Sequence, residues 1–416
     1  MIVRVSGTPG GVIPAMASKS QVHRLLLCAA LSERPSRVLC AARSEDILAT
    51  VRCLRALGAD IRDTGDGFDV TPLDRSRIVH DAVLDCGESG STLRFLLPVV
   101  CALGTSAQLR MAGRLPQRPL SPLREVLIDH GAVLGTGNPL SAAGPLHGTE
   151  FSVDASVSSQ FVSGLLFALP LLGGGSVRLT GQAVSAGYLE MTAQALTTAG
   201  VCVRRDADGY TVSGSYVMPP VCTVESDWSN AAFWLCMGAM GAKPVGVSGL
   251  NPDSAQGDRA ITELLQRFGA AVTMDADAVT AAPAPLKGCV IDAEQIPDLI
   301  PALCAAAAVA DGETRIVNAG RLRLKESDRL HTTAAMLTTL GAQVTESETA
   351  LRIVGVPRLH GGTVDAAGDH RIAMASAVAA CAADGPVTIC GAEAAAKSYP
   401  DFWRDFAALG GIVEVQ

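Results

Sequence analysis

Lysine is scarce in this chain, and its few positions draw attention to possible chemistry. Only five lysines occur among 416 residues, against 28 arginines. An ammonium group differs from a guanidinium because its surroundings can shift its pKa into the working range of an acid or base. Three of the five, Lys19, Lys325 and Lys397, lie in polar clusters. These clusters are therefore the first candidates for binding and proton transfer.

The first cluster, ASKSQVHR, stands directly before the apolar run LLLCAAL. Small hydroxyl residues at a helix start leave backbone N–H groups available, and Lys19 and Arg24 add positive charge over the first turns. The pattern favours an anion pocket that includes Ser20. An ordinary serine cap of a helix, followed by two solvated cations, would have the same sequence.

Two further segments in the first half suit an anion, and a third suits a ligand hydroxyl. In GESGSTLR, Gly90 allows a phosphate to approach the backbone closely, although the segment matches neither a Walker loop nor G-x-G-x-x-G. In RLPQRP, two prolines stiffen a loop that presents Arg118. The third segment, Ser158, Ser159 and Gln160, precedes a long apolar run. The alternative interpretations are a capped helix for the first segment, a surface turn for the second and another helix cap for the third.

The densest charge in the second half is RLRLKESDR, with six charged groups in nine residues. A solvated charged face is the usual meaning of such a run. However, Lys325 and Arg329 are four residues apart, which predicts that they share one face of a helix. The segment GDHR, with Arg371, enters another apolar helix, and Lys397 follows it. His370 in that segment suits a helix cap equally well.

Taken together, cationic helix starts in both halves fit a small substrate with more than one anionic group. Metal-ligand spacings such as H-x-x-x-H or C-x-x-C do not occur, so no metal is expected. The net charge of −8 and an aromatic content of 4% disfavour nucleic acid as a partner. The 12 cysteines are expected as reduced core residues, and neither a signal peptide nor a membrane span is indicated, which predicts a cytoplasmic protein.

One sequence pattern recurs six times: a segment with helical periodicity, then glycine, then a short β-rich segment. The glycines are 73, 69, 69, 72 and 69 residues apart and are Gly58, Gly131, Gly200, Gly269, Gly341 and Gly410. Glycine in the left-handed conformation ends a helix, so each unit is predicted to be an α/β module of about 70 residues. Three and three units predict two similar domains with helices packed inside, joined near the proline-rich Val217–Val221, with the site in a cleft that closes.

The motifs resemble those of the 5-enolpyruvylshikimate-3-phosphate synthases. The segments SKSQVHR, ESGSTLRFL, LPQRPL, SSQFVSGLL, ESDWSNAAF, IPDLIPAL, LRLKESDRL, GDHRIAMA and KSYPDF occur in that family's order. The resemblance implies a two-domain inverse α/β barrel of six βαβαββ units. One domain would span 14–222 and the other 1–13 with 223–416, with the two crossovers as a hinge.

The resemblance also implies a reaction and its participants. The family transfers the enolpyruvyl group of phosphoenolpyruvate to the 5-hydroxyl of shikimate 3-phosphate, through a tetrahedral intermediate, with release of phosphate and without a cofactor. A monomer is expected. Catalysis would fall to Asp298 as the base for the 5-hydroxyl, and to Glu326 with Lys19 for proton exchange at the methylene carbon.

The binding residues implied by the resemblance fall into two sets. Shikimate 3-phosphate would be bound by Lys19, Ser20, Arg24, Ser158, Ser159, Gln160, Ser185, Tyr188, Asp298, Arg321 and Lys325. Phosphoenolpyruvate would be bound by Lys19, Gly90, Arg118, Gln160, Arg329, Arg371 and Lys397, with His370 in support. Arginine forks suit its carboxylate and phosphate.

Some positions depart from the common pattern of that family. Glu88 stands where asparagine is familiar and brings a negative charge toward an anion site, so it must either point away and pair with an arginine or weaken substrate binding. His23 replaces a frequent asparagine, and Arg321 stands where some members have asparagine. The segment around Glu88 differs so much from the family pattern that it does not predict whether the protein is sensitive to glyphosate.

Three alternatives remain at this stage. The sister enolpyruvyl transferase acting on UDP-N-acetylglucosamine carries a catalytic cysteine in the loop that corresponds to Met111–Leu120, where this chain has none. RNA 3′-phosphate cyclase would need an RNA surface. A non-catalytic, metabolite-binding homologue has less need of Asp298, Lys19 and Glu326 together.

Overall fold

A computed structural model describes residues 1–416, which form 24 strands and 12 α-helices. The strands are β1 (Ile2–Ser6), β2 (Gly11–Pro14), β3 (Ser36–Leu39), β4 (Asp60–Asp63), β5 (Gly67–Thr71), β6 (Ala82–Asp85), β7 (Ser106–Arg110), β8 (Val133–Leu134), β9 (Leu140–Ala143), β10 (Glu150–Asp154), β11 (Gly175–Thr180), β12 (Cys202–Asp206), β13 (Gly209–Ser213), β14 (Val221–Thr223), β15 (Val245–Ser248), β16 (Ala271–Met274), β17 (Ala278–Ala282), β18 (Val290–Asp292), β19 (Glu313–Val317), β20 (Gln343–Glu346), β21 (Leu351–Val354), β22 (Gly362–Asp365), β23 (Val387–Cys390) and β24 (Ile412–Val415). The helices are α1 (Lys19–Ala30), α2 (Glu45–Ala56), α3 (Gly90–Ala102), α4 (Leu123–Asp129), α5 (Ser159–Ala168), α6 (Ala186–Thr198), α7 (Trp228–Met240), α8 (Ile261–Arg267), α9 (Ile300–Ala307), α10 (Arg329–Thr339), α11 (His370–Ala380) and α12 (Phe402–Ala408).

The strands form six four-stranded sheets with one shared pattern. In the sheet β6-β7-β9-β8, β6 and β7 are parallel, with Ala82 opposite Ala107, and the other two pairs are antiparallel. The other sheets are β14-β3-β5-β4, β10-β11-β13-β12, β16-β17-β15-β2, β18-β19-β21-β20 and β22-β23-β1-β24. In four sheets one helix connects the two parallel strands, namely α3, α5, α9 or α11; in the other two, β14 pairs with β3 and β15 pairs with β2, strands that are far apart in the chain. The six predicted βαβαββ units are therefore present.

The chain divides into two compact units. The N-domain is Ala17–Glu225, and the C-domain is Met1–Met16 together with Ser226–Gln416. Both divisions fall three residues later than the predicted ones after 13 and 222. The reason lies in strand pairing: Ala15 N–H donates to Ser248 O at the end of the β2–β15 pair, which ties this segment to the C-domain.

The proline-rich segment predicted to connect the halves lies inside the N-domain. Met218 N–H donates to the hydroxyl of Ser32, and β14 then pairs in parallel with β3, with Cys222 opposite Val38. The returning strand thus completes the sheet of the first repeat. Proline density alone does not reveal such a strand.

The six repeat glycines behave as predicted. Each follows a helix, and their φ angles lie between +77° and +109°. L-residues with a side chain rarely adopt this conformation, so glycine is favoured where each helix turns back toward its sheet. The repeat visible in the sequence is therefore a repeat of one helix-ending turn.

Six helices are buried and form the cores of the two domains. They are α1, α3 and α5 in the N-domain and α7, α9 and α11 in the C-domain. Every residue of α11 is buried, for example, whereas α2 carries exposed charge and buries one face. The prediction of helices packed inside is confirmed. None of the helices is long and apolar enough to cross a membrane.

The aromatic cluster around Phe402 predicts a measurable contribution to the stability of the C-domain. Phe402 is fully buried and stacks on Trp234, with ring centroids 5.0 Å apart. We expect Phe402→Ala to lower the free energy of unfolding by about 3–5 kcal/mol, because the cavity cannot collapse completely. All three tryptophans lie in the C-domain, so urea unfolding followed by tryptophan fluorescence reports on this domain.

The matched control is Val415→Ala at an exposed position, which should change the free energy by no more than about 0.5 kcal/mol. A loss below about 1 kcal/mol for Phe402→Ala would contradict the packing described here.

Candidate active site

Three buried helices of the N-domain begin with serine caps. The side chains of Ser18, Ser89 and Ser158 accept hydrogen bonds from backbone N–H groups of the first turns of α1, α3 and α5. None of these first turns contains an acidic residue. The positive ends of the three helix dipoles are therefore left without a local negative charge, which suits anionic ligands.

The starts of α3 and α5 are joined by polar side chains. Arg94 Nη1 donates to Gln160 Oε1 at 2.8 Å, and Gln160 Nε2 donates to Ser91 Oγ at 2.9 Å. Arg94 and Arg118 also lie over Gly90: a Cβ there would stand 2.6 Å from Arg94 Nη1 and 3.0 Å from Arg118 Nη1. Glycine thus lets two guanidinium groups approach one helix start, which concentrates positive charge where an anion would bind.

The start of α1 carries Lys19, whose ammonium lies 2.8 Å from the carboxylate of Asp46 in the first turn of α2. Both side chains are mostly buried. The ion pair holds Lys19 at the helix start. Lys19 thus lies where the sequence predicted it, with a partner that was not predicted.

Arg24 lies in the interior of the N-domain. Its donors reach Ser20 O at 2.6 Å, Thr192 Oγ1 at 2.9 Å and Tyr188 O at 3.0 Å. Burial lowers its pKa to about 10. Arg24 therefore fastens the first turn of α1 to α6, and it brings together Ser20 and Tyr188, both predicted to contact one substrate.

The C-domain helices begin differently. Asp227 and Asp369 cap α7 and α11 with their carboxylates, and Asp298 stands just before α9. Negative charge at these helix starts is favourable for the helix but must be balanced where it is buried. The balance comes from cations on other elements.

Arg329 is the centre of this balance. Its side chain is fully buried and contacts three carboxylates: Asp298 at 2.7 Å, Glu326 at 2.5 Å and Asp369 at 2.9 Å. Burial alone would lower the pKa of the guanidinium, but the three carboxylates outweigh it and shift the pKa upward. In return, Arg329 and His370 hold the pKa of Asp369 below its ordinary value although burial would raise it.

Asp298 is surrounded by further cations. Arg371 Nε lies 3.3 Å from its Oδ1, and Arg371 Nη1 donates to its backbone carbonyl at 2.9 Å. Lys325 lies 3.6 Å from the same Oδ1, and Ser229 accepts from Arg371 Nη2 at 3.0 Å. A carboxylate so placed is oriented by several donors, as a positioned base must be.

Two titratable groups of this cluster have pKa values near neutrality. Burial lowers the pKa of Lys325 to about 8, with Arg329 and Arg321 adding to the shift and Asp298 opposing it. Burial, assisted by the negative charge of Asp298, raises the pKa of Asp258 to about 7. Perturbed groups gathered in this way are typical of sites that move protons.

The prediction that Lys325 and Arg329 share one face of a helix is wrong. Lys325 follows a 3₁₀ helix (Gly320–Leu324), and α10 begins only at Arg329, because Asp328 caps it by accepting from His331 N–H. The two cations nevertheless meet at Asp298, through a loop instead of a shared face.

The remaining predicted residues lie beside these groups. Lys397 donates to Gly368 O at 2.6 Å, and His370 is buried at the first position of α11. Arg321 donates to Glu294 O at 3.4 Å. Ser159 opens α5, and Ser185 precedes α6 with φ of +53°. The contact of Lys397 with Gly368 thus brings it to the start of α11, next to Asp369 and His370.

The carboxylate of Glu88 is turned toward the loop after β7. A Cβ at Gly113 would meet Glu88 Oε2, and Gly113 has φ of +52°. The side chain therefore packs against this loop.

Several residues of the two clusters were not predicted, among them Asp46, Arg94, Asp258 and Asp369. An acid in the first turn of a helix is common, so Asp46 and Asp258 carry no distinguishing signal in the sequence. Arg94 stands in the quoted segment GESGSTLR, one turn after Gly90. Helical spacing from Gly90 is the signal that would have found it.

The scarcity of lysine makes the pKa of Lys325 directly measurable. We expect the ¹³Cε spectrum of lysine-labelled protein to contain a signal that titrates with a pKa of about 8 and is absent from Lys325→Gln. Asp298→Asn should lower this pKa further, because the neighbouring negative charge is lost. Since the unfolded lysine keeps its proton to about pH 10.4, the contribution of Lys325 to the free energy of unfolding should rise as pH increases from about 8.

Asp311→Asn, at a position outside the described clusters, serves as the control and should leave the titration unchanged. A pKa of 10 or above for the signal lost in Lys325→Gln would contradict the buried position of this ammonium.

Comparison with known proteins agrees with this geometry. The profile of the family described as EPSP synthase (3-phosphoshikimate 1-carboxyvinyltransferase) matches residues 5–406. The 3-phosphoshikimate 1-carboxyvinyltransferase of Clostridium kluyveri is 40% identical over 412 residues, covering 97% of this chain and 96% of the relative. That of Clostridium acetobutylicum is 39% identical over 416 residues, with the same shares covered.

Solved structures give the same result. The EPSP synthase of Acinetobacter baumannii matches with a TM-score of 0.80 at 25% identity and covers 100% of both chains. An enolpyruvyl transferase from Streptomyces tendae shares the fold, with a TM-score of 0.77 at 21% identity over 99% of this chain and 98% of that one. The fold class predicted from the sequence is thereby confirmed, and this chain belongs to the EPSP synthase family.

Proposed function

We propose that this protein transfers the enolpyruvyl group of phosphoenolpyruvate to the 5-hydroxyl of shikimate 3-phosphate and releases inorganic phosphate. The observation that carries the proposal is the contact of Arg329 with both Asp298 and Glu326, beside Lys325. The resemblance assigns Asp298 and Glu326 to proton transfer. Family membership supports this reaction over that of the UDP-N-acetylglucosamine transferase.

The N-domain supplies groups for binding the substrate anions. Serine-capped helix starts offer N–H donors, and Lys19 and Arg118 offer positive charge. In this proposal, Gly90, Arg118 and Gln160 bind phosphoenolpyruvate, while Ser158, Ser159, Ser185 and Tyr188 bind shikimate 3-phosphate. Lys19 contributes to both. Arg24 acts by holding Ser20 and Tyr188 in place.

The C-domain supplies groups for the chemical steps. In the addition step, the 5-hydroxyl oxygen bonds to C2 of phosphoenolpyruvate, Asp298 accepts the hydroxyl proton, and a proton is added to the methylene carbon. In the elimination step, a proton leaves the resulting methyl group, the double bond re-forms, and the C–O bond to phosphate breaks. Glu326 and Lys19 are the proposed donor and acceptor at that carbon.

The cations around Asp298 have two functions in this scheme. They orient the carboxylate before the 5-hydroxyl proton arrives, and they face the phosphate and carboxylate charges of phosphoenolpyruvate. Arg371, near the start of α11, and Lys325, in the loop before α10, contribute this charge. In this proposal, Arg371 and Lys397 also contact phosphoenolpyruvate. Arg329 has no exposed surface, so it acts by orienting Asp298 and Glu326 instead of through the substrate contact that the resemblance implied.

Residues of both domains thus act on one pair of substrates, and we propose the two crossovers, 16–17 and 225–226, as the hinge. A monomeric state and a cytoplasmic location are part of the same proposal. Sedimentation velocity tests the first, and cell fractionation tests the second.

Asp298→Asn tests the proposed base. Wild type should release phosphate only when shikimate 3-phosphate and phosphoenolpyruvate are both present, without added metal. The variant should lose a factor of about 10²–10⁴ in kcat, because an amide accepts no proton. The matched control is Asp292→Asn, an exposed carboxylate of the same domain that contacts Asn318, and it should retain full activity.

Three results would refute the proposal: turnover with UDP-N-acetylglucosamine in place of shikimate 3-phosphate, no turnover by wild type, or undiminished kcat in Asp298→Asn. A coupled phosphate assay distinguishes these outcomes. A protein that binds both substrates in calorimetry without turnover would be the non-catalytic homologue.

A further inference from the structure

A row of four polar side chains crosses the interior of the N-domain from α1 through α2 to the start of α3. His23 Nδ1 lies 2.7 Å from Thr50 Oγ1, and Thr50 Oγ1 lies 2.6 Å from Thr92 Oγ1. Thr92 Oγ1 lies 2.7 Å from Ser89 Oγ. All four side chains are buried, with exposures between 1% and 3%. The proposed reaction as described above does not use this row.

The geometry fixes the direction of the protons along the row. Thr92 donates its hydroxyl hydrogen to Ser89 Oγ. The Thr50–Thr92 contact at 2.6 Å then needs the hydrogen of Thr50, because two lone pairs would otherwise face each other. Thr50 must in turn accept, so His23 carries its hydrogen on Nδ1 and donates it.

The other ring nitrogen fits this assignment. His23 Nε2 is buried and has no hydrogen-bond partner. A bare acceptor costs less there than an N–H without an acceptor, and far less than an unpaired imidazolium. Burial, with Lys19 and Arg24 on the same helix, lowers the pKa of His23 well below its ordinary value. On α2, Asp46 is occupied by Lys19, and Thr50 faces the ring; on α3, Thr92 contributes only a hydroxyl.

The row connects two parts of the proposed site. On α1, Lys19 precedes His23 by one turn; on α2, Asp46 precedes Thr50 by one turn. The two helices are therefore joined by two successive contacts, Lys19–Asp46 and His23–Thr50. At its other end the row reaches Ser89, which caps α3 directly before Gly90.

We propose that His23 is a positioning residue: its neutral Nδ1–H form orients a one-way row of hydroxyl groups that fixes the Ser89 cap, and with it Gly90, relative to Lys19. Lys19 and Gly90, which lie next to the two ends of the row, are among the residues proposed to bind phosphoenolpyruvate. This inference therefore rests on the proposed function. It assigns the row to substrate affinity, and to no step of bond making or breaking.

The protonation state is tested by ¹⁵N NMR of histidine-labelled protein between pH 6 and 8.5. The signals lost in His23→Asn should show the neutral Nδ1–H tautomer over the whole range. An Nε2–H tautomer, or protonation of this ring above pH 6, would overturn the proposal. The measurement does not depend on turnover.

Substrate affinity is tested with Thr50→Val, which removes the hydroxyl at nearly constant shape and interrupts the row. We expect the KM for phosphoenolpyruvate to rise about tenfold with kcat within about twofold, because the loss of a buried network bond loosens the α3 cap. Thr50→Ser restores the hydroxyl and should return KM to within about threefold of wild type.

The matched control is Thr105→Val, another buried threonine, whose hydroxyl donates to Val79 O beyond the other end of α3. It should leave both constants unchanged. An unchanged KM in Thr50→Val, or an equal change in Thr105→Val, would refute the inference while wild-type turnover still supports the proposed function. Absence of wild-type turnover refutes the proposed function and with it the assignment of the row to phosphoenolpyruvate.

Discussion

A single buried guanidinium holds the C-domain site together. Arg329 has no exposed surface, and it bonds to carboxylates that come from three separate segments of the chain. Three acids could not remain ionised so close together in the interior without this cation. Once it is in place, Asp298 and Glu326 are fixed relative to each other, and the two groups proposed to move protons have defined positions. The contact thus serves orientation as much as stability, since burying ion pairs brings little net free energy.

The two domains share an architecture but divide the electrostatic work. Buried helices of the N-domain start with serine and expose the positive ends of their dipoles, which leaves room for the charge of a ligand. Two of the corresponding helices of the C-domain start with aspartate, and the third begins two residues after Asp298, so carboxylates of the protein already lie at these ends. The first arrangement suits binding of phosphates, and the second suits proton transfer. One repeated unit therefore supports two kinds of chemistry through the choice of residue at the helix start.

Much of this organisation is predictable from sequence because it is local. Glycine at each helix end repeats every 70 residues or so, and its left-handed conformation follows from its lack of a side chain. The scarcity of lysine draws attention to Lys325, and burial lowers the pKa of this residue to about 8. Contacts between distant segments are not predictable in this way. Arg329 meets Asp298 and Asp369, which are 31 and 40 residues away, and no spacing rule connects them.

The errors of sequence reasoning have the same origin. Helical spacing placed Lys325 and Arg329 on one face, but Asp328 begins the helix too late for that. The proline-rich segment resembled a linker, but the strand after it returns to the first sheet of the N-domain. Asp46 and Asp258 were missed since an acid near a helix start is ordinary until its partner is known. In each case a partner far along the chain decides the local structure.

The central claim, that Arg329 and Asp298 act as one unit, is tested most directly by a double-mutant cycle on kcat. Arg329→Lys keeps the positive charge but cannot reach three carboxylates, and Asp298→Asn removes the proposed base. The account predicts that the double variant is no slower than the slower single variant, because each change disables the same unit. Losses that multiply, with the double variant slower by the product of the two factors, would contradict it.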